Sequence, residues 1–244
     1  MLALLLLLLT TGLSTECESR PVSGPASVCE VRTFTLGARD ALTVRNPVSG
    51  SIRIEAWDRG DIGVRAEVRA YETNGQPAER FLRATTIETE GTLQAVRGEG
   101  GWVETQFVLF VPRDIDLDLS TNNGAITVSG VTGTLHIDTN NGSVRLTDIG
   151  GTVDARSNNG DVLVDLGGAT WSGDGLRAFA NNGALTLRVP ESYDAIVEAE
   201  VRWGYINEPD ALSPAAETKR VYFGAGGPTL RVSANSGSVQ IERG

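Results

Sequence analysis

From residue 115 the chain alternates apolar and polar positions in short runs cut by glycine. Glycines stand at 124, 133, 142, 151 and 160, a strict period of nine. Each opens a Gly-x-φ-x-φ run, where φ is apolar: Ile126/Val128, Leu135/Ile137, Val144/Leu146, Val153/Ala155 and Val162/Val164. Period-two alternation between turn residues marks half-buried β-strands. The same run returns as Leu185/Leu187 after Gly183, as Val239/Ile241 after Gly237, and early as Ile52/Ile54 after Gly50. The punctuation alternates too. Asn122-Asn123-Gly124, Asn140-Asn141-Gly142 and Asn158-Asn159-Gly160 recur every eighteen residues, and Asn181-Asn182-Gly183 follows beyond the strict array. Looser turns, Val131-Thr132-Gly133 and Ile149-Gly150-Gly151, fall between them.

An eighteen-residue unit made of two nine-residue halves fits two folds. Asn-Gly is a strong hairpin signal, which suggests an antiparallel meander. A β-solenoid fits as well, each coil giving one strand to each of two faces. Burial arbitrates. A meander needs a second layer over its apolar face, and no amphipathic helices supply one. A solenoid covers itself, because both halves point inward. The expected class is therefore all-β and solenoid- or β-helix-like. The Asn-Asn-Gly residues are expected to form tight corners tolerant of left-handed backbone angles. Stacking would align their amides in ladders. One coil cannot offset its own ordering entropy, so caps are required. The N-terminal strands and the irregular 193–225 segment are assigned that role.

The flanks read as follows. Strand patterns cover 41–44, 52–57 and 62–71, then 93–96 and 103–111. Pro77 to Arg83 is a short helix with Pro in a first-turn position. The strict period breaks at 167–174.

Composition sets the compartment and excludes some partners. Among 244 residues there are 29 Gly and two Cys, and the net charge is −10. That charge disfavours nucleic acid and anionic membrane surfaces. The N-terminus, MLALLLLLLTTGLSTEC, carries an apolar run of signal-peptide length, too short to span a bilayer comfortably. It lacks a basic n-region, and the true start can lie upstream. We read 1–14 as a signal peptide, 15–40 as a leader, and 41–244 as a single β-repeat domain. The expected location is the periplasm, cell envelope or exterior, with no membrane span in the mature chain. Cys17 and Cys29, twelve positions apart, can close a disulfide in an oxidising compartment. Lipid attachment at Cys17 is the alternative, and Glu16 just before it fits that poorly.

The NNG-x-φ-x-φ units, the preceding VPRDIDLDLST and the early SIRIEAWDRGDIGVRAEV resemble the bacterial putative-adhesin family of β-strand-repeat proteins, of the head-GIN and domain-of-unknown-function 4097 type. The resemblance spans about 42–242. It implies a right-handed solenoid-like fold and an exported or envelope-facing location, and it carries no catalytic residues to transfer.

Candidate chemistry is sparse, and no catalytic residue, metal site or cofactor is assigned. His136, the sole histidine, lies between inward Leu135 and Ile137 and should point outward; zinc or triad chemistry has no second member. Asp114, Asp116 and Asp118 share a strand face that offers calcium ligands but more often is solvated. Arg59-Gly60-Asp61 reads as a turn. Trp203, Tyr205, Tyr222 and Phe223 flank a polar loop, and Trp171 sits in the 167–174 break. These aromatics are candidate ligand contacts, set against the reading that they close the solenoid end. Thr127, Arg145 and Asp154 are assigned to a mixed polar outer stripe. The function expected is a non-enzymatic adhesin, envelope scaffold or binding module, with a glycan or cell-surface protein as partner. A carbohydrate-active β-helix enzyme and an envelope sensor with a membrane partner are the alternatives.

Overall fold

The computed structural model describes residues 16–18, 25–208, 211–214 (backbone only) and 218–244. The expected signal peptide, 1–14, and residues 209–210 and 215–217 of the polar loop after Asn207 lie outside them. The chain is all-β and solenoid-like. In order, its elements are β1 (Ser27–Leu36), β2 (Ala41–Ser49), β3 (Ile52–Trp57), β4 (Ile62–Tyr71), α1 (Ala78–Arg83), β5 (Thr86–Glu88), β6 (Thr92–Val96) and β7 (Trp102–Pro112). There follow β8 (Asp116–Asn123), β9 (Ile126–Ser129), β10 (Thr132–Asn141), β11 (Val144–Thr147), β12 (Gly150–Asn159) and β13 (Val162–Asp165). The chain ends with β14 (Gly175–Asn182), β15 (Leu185–Val189), β16 (Ala195–Glu208), β17 (Ala211–Pro214), β18 (Thr218–Phe223) and β19 (Thr229–Arg243).

Two parallel sheets form the solenoid. The first runs β2, β8, β10, β12, β14, β19, β16. The second runs β3, β9, β11, β13, β15, and then the C-terminal halves of β19 and β16. Each regular coil points four side chains inward, as Leu135, Ile137, Val144 and Leu146 do. The repeated pairs fuse into one core running the length of the stack. Such burial, ~25 cal/mol per Å² of apolar surface, is what a single coil lacks and a stack supplies.

The Asn-Asn-Gly corners differ from expectation in one respect. Their asparagines lie in extended strand, and the only non-glycine residues at positive φ among the described residues are Asn74 and Asp148. Left-handed helical angles lie at the opposite corner, at Gly130 (φ 72) and Asp148 (φ 50), while the Asn-corner column has positive φ at Gly50 (φ 135) and Gly237 (φ 151). Close approach is the further demand for glycine at the Asn corner. A Cβ on Gly142 would lie 2.0 Å from the Gly124 carbonyl oxygen, and one on Gly160 would lie 2.2 Å from that of Gly142. The column extends to Gly183 and Gly237.

The amide ladders are present. Asn140 Nδ2 donates to Asn122 Oδ1 (3.1 Å), Asn158 to Asn140 (2.9 Å), Asn181 to Asn158 (2.7 Å) and Asn235 to Asn181 (2.9 Å). A second ladder joins Asn123, Asn141, Asn159 and Asn182. Just inside, the Thr139 and Ser157 hydroxyls donate to the Gly124 and Gly142 carbonyls.

Both ends are elaborated. At the N-terminal end β1, β4 and β7 form an antiparallel sheet, and β7 continues the second sheet alongside β3. Helix α1, with Pro77 as its N-cap residue, packs Phe81 against Val68, Ala70 and Val103 there. At the other end the 193–225 segment is strand rather than irregular: β16 is the last coil, and β17 and β18 pair with it antiparallel. The strand that ends the chain, β19, slots between β14/β15 and β16. Strand order in space therefore departs from sequence order at this end.

Disulfide Cys17–Cys29 ties the leader to β1, with Cα atoms 6.4 Å apart. Beneath it Glu67, 1% exposed, accepts from Arg65 Nη2 and Arg69 Nη2 (3.1 Å each) and from the Glu18 amide (3.0 Å). Burial alone would raise the Glu67 pKa. The Glu18 amide and the two guanidiniums outweigh it and hold the carboxyl below its ordinary value.

Candidate functional site

The sequence-selected aromatics do not form one cluster. Trp171 is 3% exposed, and its indole N–H donates to the Gly151 carbonyl (3.0 Å). It plugs the core where the 167–174 insertion covers the preceding corner, so it is no ligand contact. Phe223 is buried too. Trp203 (66% exposed) and Tyr205 (46%) stand together at the corner of β16. Tyr222 (60%) pairs with Ile196 at the far end of that strand. Seven strand positions separate Ile196 from Trp203, ~23 Å. The expected polar stripe also divides. Thr127 and Arg145 are partners on the second sheet, whereas Asp154 belongs to the first.

The acidic row carries no cation-binding geometry. Asp116 accepts the Thr134 amide, and Asp118 pairs with Arg45. His136 is exposed on the outer face, as expected. Arg59 pairs with Asp61 and lies over Trp57, within a turn.

What the structure does assemble is a groove across the outer face of the first sheet, over β12, β14, β19 and β16. Two outward rows cross these strands in register. One contains Asp154, Arg177, Arg231, Glu198 and Arg220; the other contains Arg156, Phe179, Ser233, Glu200 and Thr218. The groove arises because Ser233 is short between Phe179 and Glu200. Its centre encloses about 380 Å³. It continues past Asp174 on one side and past Asn181, Asn235 and Arg202 on the other. From Gly175 to Asn181 this is ~20 Å of strand.

Its charges are largely spent on each other. Arg156 grips Asp154 with two bonds (2.9 and 2.8 Å). Glu198 takes Arg220 and Arg231, the latter at 3.0 Å. The hydrogen bond from Arg220 holds the Glu198 carboxyl below its ordinary range, and that from Asp154 raises Arg156. Arg177 has no carboxylate partner among the described residues. Phe179, half-buried, presents its ring beside it. Phe179 was missed in the sequence because its chain neighbours, Ala178 and Ala180, are apolar too and hide its outward position between Arg177 and Asn181. Only the register of β14 against β19, residues 54 apart at Arg177 and Arg231, reveals its setting.

The Toastrack DUF4097 family profile matches residues 114–242, just over half of the 244. No curated protein matches. Among solved structures, a "putative cell adhesion protein" from Clostridium sporogenes is 12% identical, with 90% of this chain and 100% of that one covered and a TM-score of 0.44. A "putative adhesin" from Bacteroides fragilis is 10% identical, with 88% and 97% covered and a TM-score of 0.44. A "putative lipid binding protein" from Parabacteroides distasonis is 10% identical, with 87% and 96% covered and a TM-score of 0.37.

Proposed function

The chain belongs to the Toastrack DUF4097 family, and from that premise we propose that it is an exported, non-enzymatic binding module of the bacterial envelope. Its mechanism is extended contact along the outer groove of the first sheet. The observation that carries this reading is the groove itself: a shallow trough of ~20 Å in which two of the three central carboxylates, Asp154 and Glu198, are locked to arginines. A carboxylate held ionised by two guanidiniums is a poor general acid, and hydrolytic chemistry on a sugar needs one. A fixed array of paired donors and acceptors suits binding instead.

Export is supported by the leader. Its disulfide belongs to an oxidising compartment, and an apolar run of signal-peptide length precedes it. The domain reading follows: signal peptide 1–14, leader 15–40 and one β-repeat domain from 41. Among the described residues no helix is long and apolar enough to cross a membrane.

The test is retention. The mature chain, from about Thr15, is mixed with peptidoglycan, insoluble polysaccharides and intact bacterial envelopes, and supernatants are assayed for released sugar. Specific retention without release is expected. Released sugar would transfer the protein to the β-helix enzymes, and absence of retention on every matrix would defeat the binding reading.

A further inference from the structure

We propose that the groove is a subsite for an uncharged polysaccharide chain in extended form, with Phe179 as its central ring platform and Trp203 as the platform at its exit. This rests on the binding-module reading above and narrows it to one ligand class.

The backbone argues against a peptide. A peptide strand docks by adding to an open sheet edge. Each strand of the groove floor is hydrogen-bonded on both sides: β12 by β10 and β14, β14 by β12 and β19, β19 by β14 and β16. Recognition must therefore use side chains projecting from a closed sheet.

Those side chains suit sugar. A hydroxyl is both donor and acceptor. The Asp154–Arg156 and Glu198–Arg231 pairs each put guanidinium donors beside carboxylate acceptors at fixed separation. Neighbouring hydroxyls on one ring match that arrangement without breaking the pair. Arg177, lacking an acidic partner, has guanidinium donors free for a ring or linkage oxygen. Phe179 supplies an apolar face for the ring itself.

Charge selects the uncharged class. Three arginines (156, 177, 231) and three carboxylates (154, 198, 200) line the centre, so it is formally balanced. The chain around it carries −10. A polyanion gains nothing from the centre and meets repulsion from the rest. Peptide-sized cations would compete with arginines already seated on Asp154 and Glu198.

Trp203 stands just past the groove's end, at the corner and outside the residues that line it. It takes the register position of Ser236, Asn182 and Asn159, where the inner amide ladder ends. Arg202, before it, lines the groove's exit beside Asn235 and Asn181. Trp203 is three positions and two strands from Phe179, ~14 Å away. A polymer spanning both platforms contacts more than one sugar unit, whereas a monosaccharide reaches one.

The experiment is affinity electrophoresis and titration calorimetry with soluble uncharged polysaccharides, a β-glucan and a galactomannan, against polygalacturonate. Variants are Phe179→Leu, Trp203→Ala and, on the second sheet, Thr127→Ala as a control. Unchanged circular dichroism and melting establish folding. Phe179→Leu keeps apolar volume and removes the ring. The expected result is retention in an uncharged polymer, weakened about tenfold by Phe179→Leu, less by Trp203→Ala, and unaffected by Thr127→Ala. Preference for polygalacturonate would overturn the uncharged class. Polysaccharide binding that ignores both aromatics would overturn the site. Retention on envelopes with no binding to any polysaccharide would overturn this inference and leave the binding-module reading standing.

Discussion

The three coils between Asp116 and Asp165 and the coils that follow Gly175 share one frame and differ in what they place outside it. In the first group, order in space follows order in sequence, the repeat is eighteen residues, and each corner copies the one before. In the second, an insertion lengthens the amide spacing to 23 residues, and β19 is threaded between β15 and β16. The outward positions change with it. Along one row Ser120, Asp138 and Arg156 of the regular coils give way to Phe179 and Ser233, and the groove opens at that boundary. The inward φ pairs of the coils stay apolar throughout. Identity between coils serves the stack, and departures from it make the surface that can recognise something.

The largest effect should come from breaking the identity. Gly142→Ala puts a Cβ 2.0 Å from the Gly124 carbonyl oxygen. That atom is backbone in a coil clamped on both sides, so no rotamer change relieves it. We expect a loss of ~3 kcal/mol or more, or failure to fold, read by denaturant unfolding. Gly168→Ala is the matched control in the irregular insertion. Its Cβ meets nothing within 4 Å, and only its φ of 73° is unfavourable, a cost of ~1–2 kcal/mol. Equal losses at the two sites would show that close approach is not what the corner glycines supply.

The regular half was legible in the sequence for the same reason that Gly142 is critical there. A repeated corner leaves a repeated signature, and the inward pairs and the amide ladders follow from it. The rest was not legible, because periodicity states that coils stack and not in which order. The Gly237-x-Val239-x-Ile241 run fits any place in the column, so nothing local puts it inside the C-terminal coil. Trp171 shows the matching limit for the site. A lone Trp in a Gly-rich break reads as exposed, and only the hole over Gly151 makes it a plug.

Trp171 therefore separates irregularity that supports the fold from irregularity that faces outward. Trp171→Ala should cost ~3–5 kcal/mol by leaving a cavity and an unmet Gly151 carbonyl. Binding to a groove ligand, measured below the new melting temperature, should be unchanged. Trp203→Ala should do the reverse, since its side chain is largely in solvent. A large stability loss at Trp203 would erase the distinction.

A smaller effect measures the ladder. Asn140→Ala removes two rungs, the bond to Asn122 and the bond from Asn158. Asn235→Ala removes one, the bond to Asn181. With ~0.5 kcal/mol for each exposed amide pair, we expect ~1 kcal/mol for the first and about half that for the second by chemical denaturation. Additive rungs would make the ladder a sum of pairs. A disproportionate cost in the middle would make it cooperative.

The one effect set by pH contrasts the ladder with the N-terminal cap. Amide ladders do not titrate across the acid range. The cap holds its leader through Glu67, whose carboxyl is kept below its ordinary 4.5 by the Glu18 amide, Arg69 and Arg65 against the opposing effect of burial. A depressed folded-state pKa means that this stabilisation is complete above the unfolded value and is lost as pH falls through the folded one. Acid below about 4.5 should therefore loosen the leader before the coils. Hydrogen exchange should show the Glu18 amide losing protection while amides of β10 and β12 keep theirs. Glu67→Gln leaves Arg65 and Arg69 without their counterion and should lower the melting temperature at pH 7. Its difference from the native chain should shrink as pH falls through the same window. A difference that stays constant from pH 7 to pH 3 would mean that Glu67 titrates alike in the folded and unfolded chains, and the leader would then be held by the Cys17–Cys29 bond and the Arg65 and Arg69 bonds to the Glu16 and Glu18 carbonyls.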